Sequence, residues 1–343
     1  MHHSFSLIIV TWNGLEYLQK FLPSVVQSDY PHFEIIIANN ASEDSTVTWI
    51  EDYYPQCKIV SYDRNYGYAA GNNQAVKYAQ GDILVFLNND VQVDSNWLTH
   101  LNKVFQDKSV GAAQPKLRSF KEPDYFEYAG AAGGFIDWMG YPFCRGRIID
   151  HLEKDEGQYD EAIDIFWASG AAFAIQKKVF QDTGGFDEDF EFHMEEIDLC
   201  WRCLKLGQKI KYSPNSVVYH LGGGSLPHGS PRKVFYNYRN SLVMLLKNLD
   251  RFIISKLFFR LILDGVSGIR SLLKGKPSET WAIIRAHFSF YGMIPQTLKK
   301  RNSLKQSLTN PTPKNLILGR LLIIDYFLKG KKKFDDLNFD PNE

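Results

Sequence analysis

Short apolar runs punctuate the first ninety residues: SLIIV (6–10), FEIIIA (33–38), KIVSY (58–62) and DILVFL (82–87). Connectors of helical length separate them, among them LEYLQKFLPSVVQS and STVTWIEDYY. This alternation predicts βαβ units and a mostly parallel sheet covered on both faces. In such sheets the ligand sits at the carboxyl ends of the strands. Here those ends are polar and amide-rich: Thr11-Trp12-Asn13, Asn39-Asn40-Ala41-Ser42-Glu43-Asp44, Asp63-Arg64-Asn65 and Asn88-Asn89-Asp90.

From about 118 to 165 the pattern breaks into Gly, aromatic and acidic residues without a sustained period. The expectation is a long excursion near a site rather than a packed element. Order returns with FWASGAAFAIQKKVF, a Gly-Gly turn at 184–185, a helix around 195–206 and a strand, KIKYSPNSVVYH, over 209–220 that runs into Gly222-Gly223-Gly224-Ser225. Past 230, apolar residues at Val234, Tyr238, Leu242, Leu245 and Leu249 follow a helical period. Two regions are expected, 1–230 and 231–343.

Composition narrows the class. With 44% hydrophobic residues and 23% charged, the chain is core-forming, which excludes disordered and fibrous proteins. The net charge of zero hides an asymmetry: residues 1–230 carry 18 Lys and Arg against 31 Asp and Glu, and residues 231–333 carry 21 against 4. Charges interrupt the apolar stretch from Phe252 to Leu273 too often for a bilayer span. Basic amphipathic helices on an anionic membrane surface fit better, helped by the Lys331-Lys332-Lys333 cluster. The alternative is a helical region packed on the core with a solvated basic face. Four scattered cysteines make no disulfide framework, and no apolar leader opens the chain. A cytoplasmic location is therefore expected, peripheral on the inner face of the membrane, with no nucleic-acid partner. Cys200 and Cys203 fall within a helical stretch and read as core thiols.

The segments IIVTWNG (8–14), NNASEDS (39–45), RNYGYAAGNNQA (64–75), FLNNDVQV (86–93), SGAAFAIQKKVFQDTGGFDEDF (169–190), HMEEIDLCWRCLKLG (193–207) and VVYHLGGGS (217–225) occur in one order. Together they resemble family 2 glycosyltransferases of the GT-A fold, in the bacterial rhamnosyltransferase-like subgroup. The resemblance implies an α/β, Rossmann-like catalytic domain with a C-terminal helical extension. It also implies inverting transfer of a sugar from a nucleotide-diphosphate donor to an acceptor hydroxyl of a membrane-proximal or lipid-linked glycan, assisted by Mg²⁺ or Mn²⁺.

Such chemistry requires neutralisation of a diphosphate leaving group, which a hard cation held by few carboxylates performs. Asn88-Asn89-Asp90 occupies the position of the family's D-x-D-type motif, so Asp90, its one carboxylate, is the expected metal ligand, although capping a turn would also explain it. His220, before the glycine run, is the second candidate ligand; a hydrogen-bonded imidazole at a strand end is the plainer reading. Glu195-Glu196 stands where the family carries an acidic pair whose second member is the base. Glu196 is the first choice and Glu195 the runner-up, with stabilisation of a helix N-terminus as the structural alternative. Asp198 and Arg202 are spaced as a helix ion pair.

On the donor side the resemblance implies Thr11, Trp12, Asn13, Asn39, Ser42, Arg64, Asn65, Asn73, Asn88, Asn89, Ser169 and Gly170. Asn39 replaces an Asp of the family pattern, while Asp44 reads better as a structural cap. Departures at Asn39, Asn88 and Glu196 keep a catalytically silent nucleotide-sugar-binding subunit in view. A sugar nucleotidyltransferase would want a basic Gly-rich loop after the first strand, and VTWNGLEYL has none. A dehydrogenase would want G-x-G-x-x-G there.

Overall fold

The computed structural model describes residues 2–222 and 230–342. Its first half follows the alternation of the sequence: β1 (Phe5–Thr11), α1 (Leu15–Val26), β2 (Phe33–Asn39), α2 (Thr46–Tyr53), β3 (Lys58–Ser61), α3 (Gly67–Ala75), β4 (Ile83–Leu87), β5 (Val91–Val93) and α4 (Trp97–Val104). Helix α1 buries Leu18, Phe21, Leu22 and Val25 at helical spacing, which fixes its inner face. Gly71 brings α3 against β1, because a Cβ there would lie 3.2 Å from the Val10 side chain.

A long strand, β6 (Val110–Ser119), follows, and then the segment expected to be an unpacked excursion. It is packed. Strands β7 (Gly134–Asp137), β8 (Pro142–Cys144), β9 (Arg147–Ile148) and β10 (His151–Leu152) form a second sheet, and Ala131, Ala132, Phe135, Phe143 and Cys144 are fully buried. The strands are too short to show a period of two. Their aromatic core is completed from far along the chain, with Phe334 stacked on Phe143 and tilted against Phe135, and Phe339 edge-on to both.

The main sheet is completed by β11 (Ala172–Gln176) and, after α5 (Lys177–Asp182) and α6 (Glu195–Lys205), by β12 (Lys209–His220). Among the described residues its eight strands run β3-β2-β1-β4-β11-β6-β12-β5. The β1–β2, β1–β4, β2–β3 and β6–β12 pairs are parallel, whereas β11 and β5 run against their neighbours. The sheet is thus mixed, with the first four strands as expected.

Helices α7 (Pro231–Asn248), α8 (Ile253–Leu273) and α9 (Pro277–Ser307) come next. Strand β13 (Ile317–Leu318) pairs parallel with β7, and α10 (Leu322–Phe327) follows it. Leu242, Met244 and Leu245 of α7 belong to the same buried cluster as Phe86 of β4 and Phe173 of β11. Among the described residues no helix is long and apolar enough to cross a membrane.

Candidate active site

The chain leaves β4 at Asn88, whose backbone N–H bonds Ala171 O at 3.0 Å, and turns through Asn89 and Asp90 into β5. β5 pairs with the end of β12, with Val91 opposite His220. Asp90 is thereby set against the last strand of the sheet. Its Oδ1 lies 3.1 Å from His220 Nε2, with the Asn88 side-chain nitrogen 3.4 Å from the same atom. Both Asp90 and His220 are buried. On the far side of the ring, Nδ1 lies 3.2 Å from Glu127 Oε1, an ion-pair contact without hydrogen-bond alignment. Burial alone would lower the imidazole's pKa, but Glu127 and then Asp90 overcome it and push it up to about 10.

Glu127 is absent from the sequence reading. It lies in the segment without period, and its Oε2 accepts the Ala129 N–H. Of the glycine run, Gly222 adopts φ +66 beside Glu127; Gly223, Gly224 and Ser225 lie outside the described residues.

One carboxylate and one imidazole at hydrogen-bond separation, with an amide beside them, make a hard to borderline donor set that suits Mg²⁺ or Mn²⁺. Among the described residues no cluster of three His, Cys, Asp or Glu forms a closed cage. A cation held by Asp90 and His220 would keep positions for phosphate oxygens and water. The residues fit the group.

The acidic pair stands on an unusual turn. His193 and Met194 both have left-handed backbones, at φ 66 and 74. Two successive non-glycine residues there store strain that surrounding structure has to hold, a feature concentrated at functional sites. Asn240 of α7 holds it, its side-chain N–H groups bonding Phe192 O at 2.7 Å and His193 O at 2.9 Å. Behind the turn, Asp198 is completely buried among Arg202, Lys247 and Asn248 at 2.7–2.9 Å. Lys247 also reaches Asp187 at 2.5 Å. The expected Asp198–Arg202 helix pair exists, and it anchors α6 from within.

Glu195 and Glu196 therefore start α6 in a fixed orientation. Burial raises the Glu195 carboxyl well above its ordinary value, with Glu196 adding to it. Burial likewise raises Glu196 to about 7. Glu195 is the more enclosed of the two. Neither Glu195 Oε2 nor Glu196 Oε2 has a hydrogen-bond partner among the described residues. A Cβ built on Gly170 would meet Tyr68 Oη at 3.3 Å and Glu196 Cβ at 3.9 Å, and Tyr68 donates to Gly170 O at 2.8 Å. Ala171 carries the contact on to Asn88, so Gly170 links the acid pair to the Asp90 corner.

The remaining residues divide. At the end of β1, buried Thr11 accepts from the Asn89 side chain at 3.0 Å, and Trp12 is 56% exposed. Gly14 leaves room for this pair, since a Cβ would fall 2.1 Å from Thr11 Oγ1 and 2.6 Å from Asn89 Nδ2 and displace them. Asn13, at φ 48, gives its N–H to Ser42 Oγ at 2.9 Å and accepts from Glu43 N at 2.8 Å. Asn39 Oδ1 accepts from Ser42 N at 3.0 Å, and Asp44 Oδ1 from Thr46 N at 3.1 Å, a structural Asx turn one residue ahead of Ser45, which stands at the N-cap of α2. Arg64 is exposed above the Tyr66 ring, and Asn65 closes an Asx turn onto Gly67 N.

Asn73 and Ser169 are engaged elsewhere. The Asn73 amide bonds Phe186 O, Phe186 N and Glu188, clamping the loop after the Gly-Gly turn. Buried Ser169 gives its N–H to Gln114 of β6 and its hydroxyl to Ala129 O, tying the start of β11 to the neighbouring strand and to the segment ahead of β7. All four cysteines are free and buried.

The mixed sheet with its amide-rich edge, flanked by helices, has the architecture of the GT-A fold. Residues 6–184 match glycosyl transferase family 2, and the chain belongs to that family. It is 30% identical over 219 residues to the O-antigen biosynthesis protein RfbC of Myxococcus xanthus, covering 63% of this chain and 17% of that protein. It is 24% identical over 233 residues to the N-acetylglucosaminyl-diphospho-decaprenol L-rhamnosyltransferase of Mycobacterium tuberculosis, covering 62% and 75%. The chain thus spans far less than two thirds of the first of these relatives. The structure of GalNAc-T7 with UDP, GalNAc and Mn²⁺ superimposes with a TM-score of 0.57 at 17% identity, over 72% of this chain and 48% of that one. Staphylococcus aureus TarS 1–349 with UDP-GlcNAc gives 0.51 at 17% identity, over 98% and 89%. At these identities the two structures share the fold.

Proposed function

We propose that the protein is an inverting, divalent-cation-assisted glycosyltransferase. In this reading it takes a nucleotide-diphosphate sugar and glycosylates a hydroxyl of a lipid-linked or membrane-proximal glycan at an anionic membrane surface on the cytoplasmic side. The observation that carries the reading is the convergence on one sheet edge of the Asp90–His220 corner and the Glu195–Glu196 turn, joined through Gly170. The relatives' names support the acceptor class, since one acts on a decaprenol-linked sugar.

Asp90 and His220 would hold Mg²⁺ or Mn²⁺, which supplies Lewis-acid neutralisation of the departing diphosphate. His220 must release its Nε2 proton to serve as a ligand. Asn88 and Asn89, with Thr11 behind them, line the diphosphate side; Trp12, Asn13, Asn39, Ser42, Arg64 and Asn65 form the nucleotide side. Glu196 takes the acceptor's proton as the new C–O bond forms opposite the leaving group, and Glu195 stays neutral beside it. A panel of nucleotide sugars with Mn²⁺ tests this: at least one raises the melting temperature and is hydrolysed or transferred, and Asp90→Asn abolishes turnover. Binding without turnover of any donor would favour the silent binding subunit, and no binding at all would defeat both readings.

A further inference from the structure

Helix α8 is built inside out. The residues it buries are Arg260, Asp264 and Gly268, and its outer stripe is Ile254, Phe258, Ile262, Val266, Ile269 and Leu273, between 47% and 86% exposed. The two sets lie on opposite sides of one helix at the 3.6-residue period. Inside, Arg260 bonds Asp264 at 3.0 Å, Ser241 Oγ at 3.0 Å and Met139 O at 3.2 Å, and Tyr141 donates to Asp264 at 3.2 Å. His287 Nε2 approaches Asp264 at 3.5 Å. Ile253, Leu257 and Leu261 pack partly buried against the core on the same side, so the seat is mixed, but its fully buried side chains are the charged pair, and the most exposed hydrocarbon faces outward. That is the reverse of a helix whose outer medium is water.

The patch extends past the helix at both ends. Lys256 donates to Trp138 O at 2.8 Å and lies over the Trp138 ring, which is 45% exposed. Arg270 stacks 4.3 Å from the Phe327 ring, bringing exposed Phe327 and Leu328 beside the C-terminal end of the stripe.

Charge decides among occupants. Residues 251–276 hold six Lys and Arg and one acid, Asp264, which is fully buried in the Arg260 pair. The outward side therefore offers apolar groups and cations without a carboxylate. A protein partner or a second copy would not require that, whereas an anionic lipid surface selects it. At 21 residues but without the apolar length to cross, the helix is suited to lie in the headgroup plane.

We infer that α8 is the membrane-docking element, seated lengthwise in an anionic bilayer surface and held by the Arg260–Asp264 pair behind it. This rests on the reading that the acceptor is membrane-borne, and not on the transfer chemistry.

The test is co-sedimentation with vesicles of phosphatidylcholine, with and without phosphatidylglycerol, for the full chain and for the triple variant Ile254→Ser, Phe258→Ser, Ile262→Ser. The parent should bind the phosphatidylglycerol vesicles and lose binding as salt rises. The variant should bind at least about tenfold less, with unchanged melting temperature and unchanged donor hydrolysis. Equal binding by parent and variant, or none by the parent, overturns the inference, as does a dimer in sedimentation velocity that the variant converts to monomer. Donor hydrolysis is read separately, so a failure of the chemistry leaves the vesicle result standing and the reverse also holds.

Discussion

Glu196→Gln should make the protein more stable and less active, both through the same carboxyl. Burial lifts that group from an ordinary 4.5 to about 7 in the fold. The native state therefore binds its proton more tightly than the unfolded chain does. The stabilisation is complete below about pH 4.5 and is lost as pH rises through about 7, where ionisation forces a charge into an enclosed site. Across that window the loss amounts to about 3 kcal/mol. Glutamine keeps the shape and never ionises, so at pH 8 the variant should exceed the parent by up to about 3 kcal/mol. For a chain of this length that is about 4 °C in melting temperature. The difference should vanish near pH 4.5. Activity runs the other way: the parent's kcat/KM should rise with pH to a plateau above about 7, and the variant should lose about 10²- to 10⁴-fold. Scanning calorimetry at both pH values, with donor turnover alongside, is the assay. A variant no more stable than the parent at pH 8, or a parent at full rate at pH 5, would refute the reasoning.

Other perturbations probe the support around the site. Lys247→Met removes a buried cation shared by Asp187 and Asp198, so unfolding free energy should fall by about 3 kcal/mol in a urea titration, and an unmoved midpoint would show the cluster to be dispensable. Glu127→Gln removes the charge facing His220 Nδ1 and should weaken Mn²⁺ binding about 10- to 100-fold in calorimetry, without altering the melting temperature by more than about 2 °C.

The sequence exposed the framework through its periods. The first four strands and their polar ends are continuous Ile/Val runs ended by turn formers, and local pattern suffices for those. The small sheet escaped because its strands are two to four residues long and its aromatic partners, Phe334 and Phe339, lie almost two hundred positions downstream. Glu127 escaped for the same reason, since only the fold brings it to His220. Motif order pointed to Asn73 and Ser169, yet which way an amide or hydroxyl faces depends on neighbours no motif contains. The basic, apolar character of α8 was legible, but its orientation was not: Arg260 and Asp264 look like surface charges until their spacing is seen to face Ser241 and Tyr141.

The closing of the sheet has a consequence for how the protein is made. Asn88 and His220, which meet at the Asp90 corner, are separated by 132 positions, and the strained turn before Glu195 is held by Asn240. A ribosome that has released only the first two hundred residues has therefore produced β1 to β11 and the amide-rich edge, but neither the Asp90–His220 corner nor the support that orients Glu195 and Glu196. Nascent chains can bury apolar surface early while remaining unable to cleave a sugar nucleotide. On the proposed reading, competence would wait for β12 and α7 to dock, and a half-made chain would not act as a hydrolase that wastes activated sugar.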